Sequence, residues 1–154
     1  MNEPAIDWPA QFDPARSPIH VVNRITLDAP AEAVWARLIR AADWPSWYAN
    51  ASKVRIEGGE SELFADACFT WRTFGVDLVS QVLEFVPGER IAWDAEGLGV
   101  LAYHAWLITP TATGCQVTTE ETQHGFAARI GRLIFPGRME RWHQRWLEGL
   151  TEAG

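Results

Sequence analysis

The sequence predicts an α+β fold: a curved antiparallel sheet of seven strands around a long C-terminal helix, with two short helices between the first and second strands. Three observations favour it. One segment of alternating apolar residues precedes two short helical segments, six more strand-like segments follow in succession, and the C-terminal segment has helical periodicity. A parallel α/β sheet would need strands and helices in alternation, and that alternation is missing.

The N-terminal segment, residues 1–18, contains four prolines, which disfavour a helix or a central strand. We expect an extended arm, which Trp8 and Phe12 could hold against a single domain spanning 19–154. A chain of 154 residues buries roughly 68 to 70% of its unfolded surface as one domain, so its core needs neither a disulfide nor a metal.

The first strand is predicted over 19–27, where apolar and polar residues alternate. The Asp-Ala-Pro sequence at 28–30 predicts a helix start, because proline is favoured in the first turn and apolar residues follow at helical spacing. A second short helix is predicted from Asp43 to near Asn50.

Glycine and proline residues then mark the turns between six strand-like segments. These predicted strands are 52–58, 67–75, 77–86, 90–94, 100–109 and 115–123. The remaining segment, 125–154, has apolar residues at helical spacing and arginines on its other faces. Pro136-Gly137 is expected to kink or break this helix.

Composition excludes several classes of function. The chain has 13 basic and 20 acidic residues and a net charge of -7, which disfavours a nucleic-acid partner because phosphate binding requires clustered basic side chains. No apolar run reaches the roughly 18 residues of a membrane-spanning helix, and the first residues lack a signal-peptide pattern. We therefore expect a cytoplasmic protein without membrane insertion, with Cys68 and Cys115 as reduced thiols.

Two patterns that could indicate a cofactor are discounted. The four histidines are scattered without metal-ligand spacing. The segment Gly97-Leu-Gly99-Val-Leu-Ala102 matches a dinucleotide fingerprint, but a strand follows it instead of the helix that would hold a pyrophosphate. The sequence thus predicts no metal site and no cofactor.

Several motifs resemble those of a known superfamily. Asp28-Ala-Pro-Ala-Glu-Ala-Val-Trp35 and Trp44-Pro-Ser-Trp47 are similar to the opening of START-like, or helix-grip, proteins. Four later motifs resemble the polyketide cyclase/dehydrase branch of this SRPBCC superfamily: Phe69-Thr-Trp71, Phe85-Val-Pro-Gly-Glu-Arg-Ile-Ala-Trp93, Tyr103-His-Ala-Trp106 and Thr118-Thr-Glu-Glu-Thr122. The resemblance covers about residues 19–151. It implies a sheet gripping a C-terminal helix around a deep apolar cavity, used by different members for lipid or hormone carriage, polyketide cyclisation or partner binding.

Strand parity brings two polar residues together on an otherwise apolar face. Side chains alternate along a strand, and antiparallel partners share a face. Pairing 100–109 with 115–123 across their short connection sets His104 opposite Glu121. We expect this face to point inward, because the tryptophan, isoleucine and valine that share it would otherwise form an exposed patch. An outward face would make the pair a solvated contact.

A carboxylate beside an imidazole raises its proton affinity, so His104 and Glu121 are candidates both to bind the polar end of a ligand and to transfer protons. The other candidate ligand contacts are Asn23, Trp47, Tyr48, Phe69, Trp71, Trp93, Trp106 and Thr119. The strand aromatics could equally be core packing, and Asn23 could instead satisfy a backbone group. Trp47 and Tyr48 could form a gate to the cavity or a surface anchor.

Three functions remain open from the sequence. The first is binding of a hydrophobic, ring-containing small molecule in an aromatic-lined cavity, a use that nine tryptophans favour. The second is an enzyme of the aromatase/cyclase or dehydratase kind, in which His104, oriented by Glu121, removes a proton from a poly-β-keto substrate. The third is an interaction module whose exposed aromatic residues bind another protein. The oligomeric state is left open.

Overall fold

One antiparallel sheet of seven strands forms the body of the protein in a computed structural model, which describes residues 3–151. The strands are β1 (Ile19–Leu27), β2 (Ala51–Ile56), β3 (Cys68–Thr73), β4 (Val76–Val86), β5 (Arg90–Gly97), β6 (Val100–Pro110) and β7 (Cys115–His124). Their order in the sheet is β1-β7-β6-β5-β4-β3-β2. The predicted fold class is confirmed, including all seven predicted strands.

The helices are α1 (Ala31–Ile39), α2 (Trp44–Trp47), α3 (Phe126–Ile134) and α4 (Arg138–Gly149). The single long C-terminal helix that we expected is therefore two helices. The break falls at Pro136-Gly137, as the sequence indicated, because proline cannot donate its amide and Gly137 adopts a left-handed φ of 76°. No helix in the described part of the chain is long and apolar enough to cross a membrane.

Aromatic side chains fill the space between the sheet and the C-terminal helix. Trp44, Trp93, Trp106 and Trp146 are all fully buried. The ring of Trp44 lies 5.1 Å from that of Trp146 and 5.4 Å from that of Trp93. Each buried ring removes about 150 to 250 Å² of mostly apolar surface from water, so this cluster is a main source of stability.

The N-terminal arm covers the outer face of the sheet. The ring of Phe12 stacks 5.2 Å from that of Tyr103, and the Trp8 ring lies 5.5 Å from it. Thr122 Oγ1 also donates a hydrogen bond of 2.9 Å to the carbonyl oxygen of Phe12. As a result, the central part of β6 is buried on both faces.

Gly114, in the turn between β6 and β7, packs against the end of β1. A Cβ atom here would lie 2.0 Å from the carbonyl oxygen of Leu27, so Gly114→Ala must displace the turn. We expect the free energy of unfolding to fall by about 2 to 4 kcal/mol, measured by urea denaturation. Gly131→Ala is the control, because a Cβ at Gly131 meets no heavy atom within 4 Å, and it should raise stability by about 0.5 to 1 kcal/mol. Equal losses in the two variants would contradict the packing argument.

Candidate functional site

The β6–β7 hairpin has the register that strand parity predicts. His104 lies opposite Glu121, and Trp106 lies opposite Thr119. The shared face points inward: His104 is 2% exposed and Glu121 is 8% exposed. The imidazole and the carboxyl group therefore lie inside the protein.

A chain of hydrogen bonds fixes the tautomer of His104. Its Nε2 lies 2.6 Å from Thr119 Oγ1, and the Thr119 hydroxyl donates to the carbonyl oxygen of Ala105 at 3.2 Å. Because a hydroxyl has one proton, Oγ1 must accept from Nε2–H of His104. The lone pair of the neutral ring is then on Nδ1, which lies 3.2 Å from Glu121 Oε1.

His143 of α4 completes the cluster. Its ring stacks on that of His104 with centroids 4.6 Å apart, and its Nε2 lies 3.7 Å from Glu121 Oε1. From the sequence, His143 is only one of four scattered histidines. Its helical spacing could have indicated an inward position, because His143 is three residues before Trp146 and seven before Leu150, and both of these are buried.

Burial changes the protonation of all three groups. Removal from water raises the pKa of Glu121 to about 7, although Gln123 opposes the shift by donating a hydrogen bond to Oε2. Burial lowers the pKa of His143 to about 3. Burial and then the neighbouring His143 lower the pKa of His104 well below its ordinary value. At mildly acidic pH, below the pKa of Glu121 and above that of His143, these two groups are therefore mostly uncharged, and protonated Glu121 is placed to donate to Nδ1 of His104.

The same three side chains are the ones that could ligate a metal ion. One donor atom from each lies within 4.8 Å of the others. However, the two imidazole planes are stacked at only 25° to each other, and a metal binds in the plane of an imidazole, along the nitrogen lone pair. Two stacked rings do not direct their lone pairs at one point, so metal binding would require one ring to rotate.

A cavity of about 190 Å³ lies beside this cluster. Its apolar walls come from β3 to β6 and include Trp71, Leu78 and Trp93; His104 and Glu121 form a polar part of the lining. Trp71 Nε1 donates to Ser80 Oγ at 3.0 Å, so this ring is held in place by the protein itself.

Of the candidate ligand contacts, Trp71, Trp93, His104 and Glu121 line the cavity. Thr119 and Trp106 lie behind it: Thr119 holds His104, and the Trp106 ring stacks on His104 with centroids 4.9 Å apart. Phe69 packs edge-on against Trp44, with centroids 6.2 Å apart.

Three further candidates lie in contacts with the C-terminal helix. Asn23 donates to the carbonyl oxygen of Glu140 at 3.0 Å and to Gln144 Oε1 at 3.1 Å. Tyr48 stacks on Trp146 at 4.4 Å. Trp47 lies against Gly149, where an added Cβ would be 2.6 Å from its ring. None of the three is in the cavity lining.

The remaining wall of the cavity comes from α3 and the segment after it, where we predicted no site residue. Ala127, Ala128 and Gly131 present a surface of small side chains to the cavity, and Arg132 and Arg138 lie at its border. Arg138 is also stacked on Phe74, with its guanidinium carbon 5.0 Å from the ring centre. Helical periodicity identified this segment as a helix but could not show which face would meet the sheet.

A family model described as polyketide cyclase / dehydrase and lipid transport matches residues 18–153. The chain belongs to this family. The match spans all seven strands and all four helices, so the cavity and its polar cluster lie within the family domain. No curated protein matches the chain.

Solved structures share the architecture of this member of the polyketide cyclase/dehydrase family. A hypothetical protein from Helicobacter pylori, jhp0584, is 27% identical and superposes with a TM-score of 0.89 over 98% of this chain and 96% of its own. TTHA0849 from Thermus thermophilus is 17% identical, with a TM-score of 0.72 over 87% and 95% of the two chains. The di-domain ARO/CYC StfQ of the steffimycin biosynthetic pathway is 14% identical, with a TM-score of 0.68 over 86% of this chain and 49% of StfQ. At these lower identities the likeness concerns the fold.

Proposed function

We propose that the protein binds a compact, hydrophobic, ring-containing small molecule in the cavity, with a hydroxyl or carbonyl group of the ligand directed at Glu121 and His104. The observation that supports this most directly is the composition of the cavity lining. Aromatic and aliphatic side chains form most of it, and its polar part includes His104 and Glu121 of the hydrogen-bonding cluster, with Arg132 and Arg138 at the border. Ligand sites commonly have this arrangement, in which apolar walls supply affinity and a few polar groups fix orientation.

The volume of the cavity limits the ligand. An apolar cavity of about 150 Å³ is enough to hold benzene, so the roughly 190 Å³ available here suits one ring with a small substituent. Drug-sized ligands usually occupy roughly 300 to 1,000 Å³. A larger ligand would need α3 to move away from the sheet.

The hydrogen-bonding requirement can be tested with p-cresol and p-xylene, which have nearly the same shape but differ by a hydroxyl group. Calorimetry should show p-cresol binding about tenfold more tightly, because its hydroxyl is paired inside the protein. Glu121→Leu should abolish this preference and retain p-xylene binding. Glu120→Leu is the control, since Glu120 lies on the opposite face and contacts His20 at 2.8 Å.

Equal affinities for the two compounds in the unmodified protein would contradict the assigned polar end. Binding of neither compound would overturn the proposed ligand class. Circular dichroism of both leucine variants would show whether their folds are intact, so that a loss of binding is not mistaken for unfolding.

Acid–base catalysis is a second candidate, favoured by the buried carboxyl group whose pKa is about 7. A group that is half protonated near neutral pH can both give and accept a proton. Nε2 of His104 is engaged by Thr119 and its Nδ1 faces Glu121, so Glu121 is better placed than His104 to exchange a proton with a ligand. If a poly-β-keto thioester is cyclised, Glu121→Gln should abolish turnover and retain binding. Unchanged turnover in this variant would exclude Glu121 as the acid or base.

A further inference from the structure

The outward face of α3 is strongly apolar. Phe126, Ile130, Leu133 and Ile134 follow one another at helical spacing and are 79%, 39%, 82% and 59% exposed. The opposite face carries Ala128, which is the buried residue of this helix. A surface helix normally turns its larger apolar side chains toward the core, and α3 has the reverse arrangement.

Neighbouring residues extend this surface beyond the helix. Leu98, in the turn between β5 and β6, is 77% exposed, and Phe135, immediately after α3, is 51% exposed. The turn touches the helix, because a Cβ added to Gly99 would lie 3.2 Å from the Cβ of Ala127. We call these two residues and the four on the helix the α3 patch. A contiguous exposed apolar surface of this kind commonly marks an interaction site.

The segment that carries the helical part of the α3 patch has a charge opposite in sign to that of the protein. The chain has a net charge of -7, yet the segment 122–139 contains three arginines and no aspartate or glutamate. Arg129 is exposed beside the apolar stripe. Arg138 is stacked on Phe135 with its guanidinium carbon 4.9 Å from the ring centre, and Arg132 is paired with Glu140. Two of the three arginines are thus left to meet an anionic surface.

We propose that the α3 patch docks the protein reversibly on an anionic lipid surface. Large side chains project from a single convex helix here, a shape suited to shallow insertion among lipid head groups. The arginines beside them would meet anionic head groups, which attract basic side chains near the bilayer. A helix of only nine residues has too little apolar surface to anchor a protein permanently, so the binding would be reversible.

Docking would also bring the cavity to the lipid surface. The inner face of α3 is a wall of the cavity, whereas its outer face carries the apolar stripe. Gly125, with a φ of 109°, directly precedes the helix, and Gly137, with a φ of 76°, lies three residues beyond its end. Ala128 is the buried residue of the helix. A helix with so little buried surface can shift at low cost. A ligand dissolved in the lipid could then enter beneath α3.

The proposal is tested by sedimentation with phosphatidylcholine vesicles that contain or lack phosphatidylglycerol. We expect the protein to sediment with the anionic vesicles, and added salt should weaken its binding. Leu133→Ser should lower the partition coefficient about tenfold, because it removes a large apolar side chain from the contact. Arg129→Gln should lower it about fivefold. Val79→Ser is the matched control: Val79 is 62% exposed on β4 and should behave as the unmodified protein.

Failure to sediment with either type of vesicle would overturn the proposal, as would an equal effect of Val79→Ser and Leu133→Ser. Light scattering provides a second decisive result. If the protein is dimeric and Leu133→Ser makes it monomeric, the α3 patch is an interface with a second copy instead of a lipid-docking surface. Neither measurement depends on a ligand in the cavity, so a failure here leaves the proposed binding function standing.

Discussion

Replacing Trp44 by alanine is expected to lower the free energy of unfolding by about 3 to 5 kcal/mol, the range for a buried tryptophan reduced to alanine. The side chain of Trp44 is fully buried, and its ring contacts those of Phe69, Trp71, Trp93 and Trp146. Its Nε1 donates to the carbonyl oxygen of Leu38 at 2.9 Å. Alanine would leave a large void and an unpaired carbonyl group.

The control for this prediction is Trp47→Ala in the same short helix. Trp47 is only partly buried, and the guanidinium carbon of Arg37 lies 4.6 Å from the centre of its ring. We expect a loss of about 1 to 2 kcal/mol for Trp47→Ala. Urea denaturation of the two variants measures both values. Equal losses would contradict a core centred on Trp44.

Replacing Glu121 by glutamine is expected to change how stability depends on pH. The pKa of Glu121 is about 7 in the folded protein against an ordinary value of 4.5, so the folded state holds this proton more tightly than the unfolded state does. The stability of the unmodified protein therefore falls as the pH rises from 4.5 to 7, by about 3 kcal/mol at most. Glutamine does not ionise and avoids this loss.

The histidine contribution has the opposite sign. The pKa of His143 is lowered from 6.5 to about 3, so its contribution to stability increases as the pH rises between these values. Both proteins contain this histidine, and subtracting their unfolding free energies isolates the effect of Glu121. The stability of the glutamine variant relative to the unmodified protein should rise between about pH 4.5 and 7 and level off at higher pH. Glu120→Gln serves as the control and should show the same pH dependence as the unmodified protein. If the unfolding free energies of all three proteins change in parallel with pH, ionisation of Glu121 does not destabilise the folded state.

Strand periodicity was sufficient to predict part of the candidate site. Side chains alternate strictly along β6 and β7, and a short turn joins the two strands, so the pairing of His104 with Glu121 followed from counting residues. Counting did not show where along the hairpin the cavity would lie. It lies toward the β6 end at which Val100 and Ala102 line the wall, and Trp106 consequently lies behind His104.

The helical part of the site could not be predicted in the same way. The position of His143 depends on the rotation of α4 after the break at Pro136-Gly137. The orientation of α3 is harder still to predict from the sequence, because hydrophobic periodicity would turn its stripe of large side chains toward the sheet. The structure instead places alanine and glycine against the cavity. Only the packing of the whole chain determines this choice.

The arm over β6 limits where the cavity of this family member could change its shape. Tyr103, on the outer face of β6, is buried beneath Trp8 and Phe12, while His104 beside it is buried on the inner face. Substitutions in these strands would disturb packing on one side or the other. In the α3 wall, a Cβ added at Gly131 would meet no heavy atom within 4 Å, so a larger side chain is tolerated more readily at this position. Under the proposed function, a change of ligand preference would therefore arise at α3 while the hydrogen-bonding cluster is inherited unchanged.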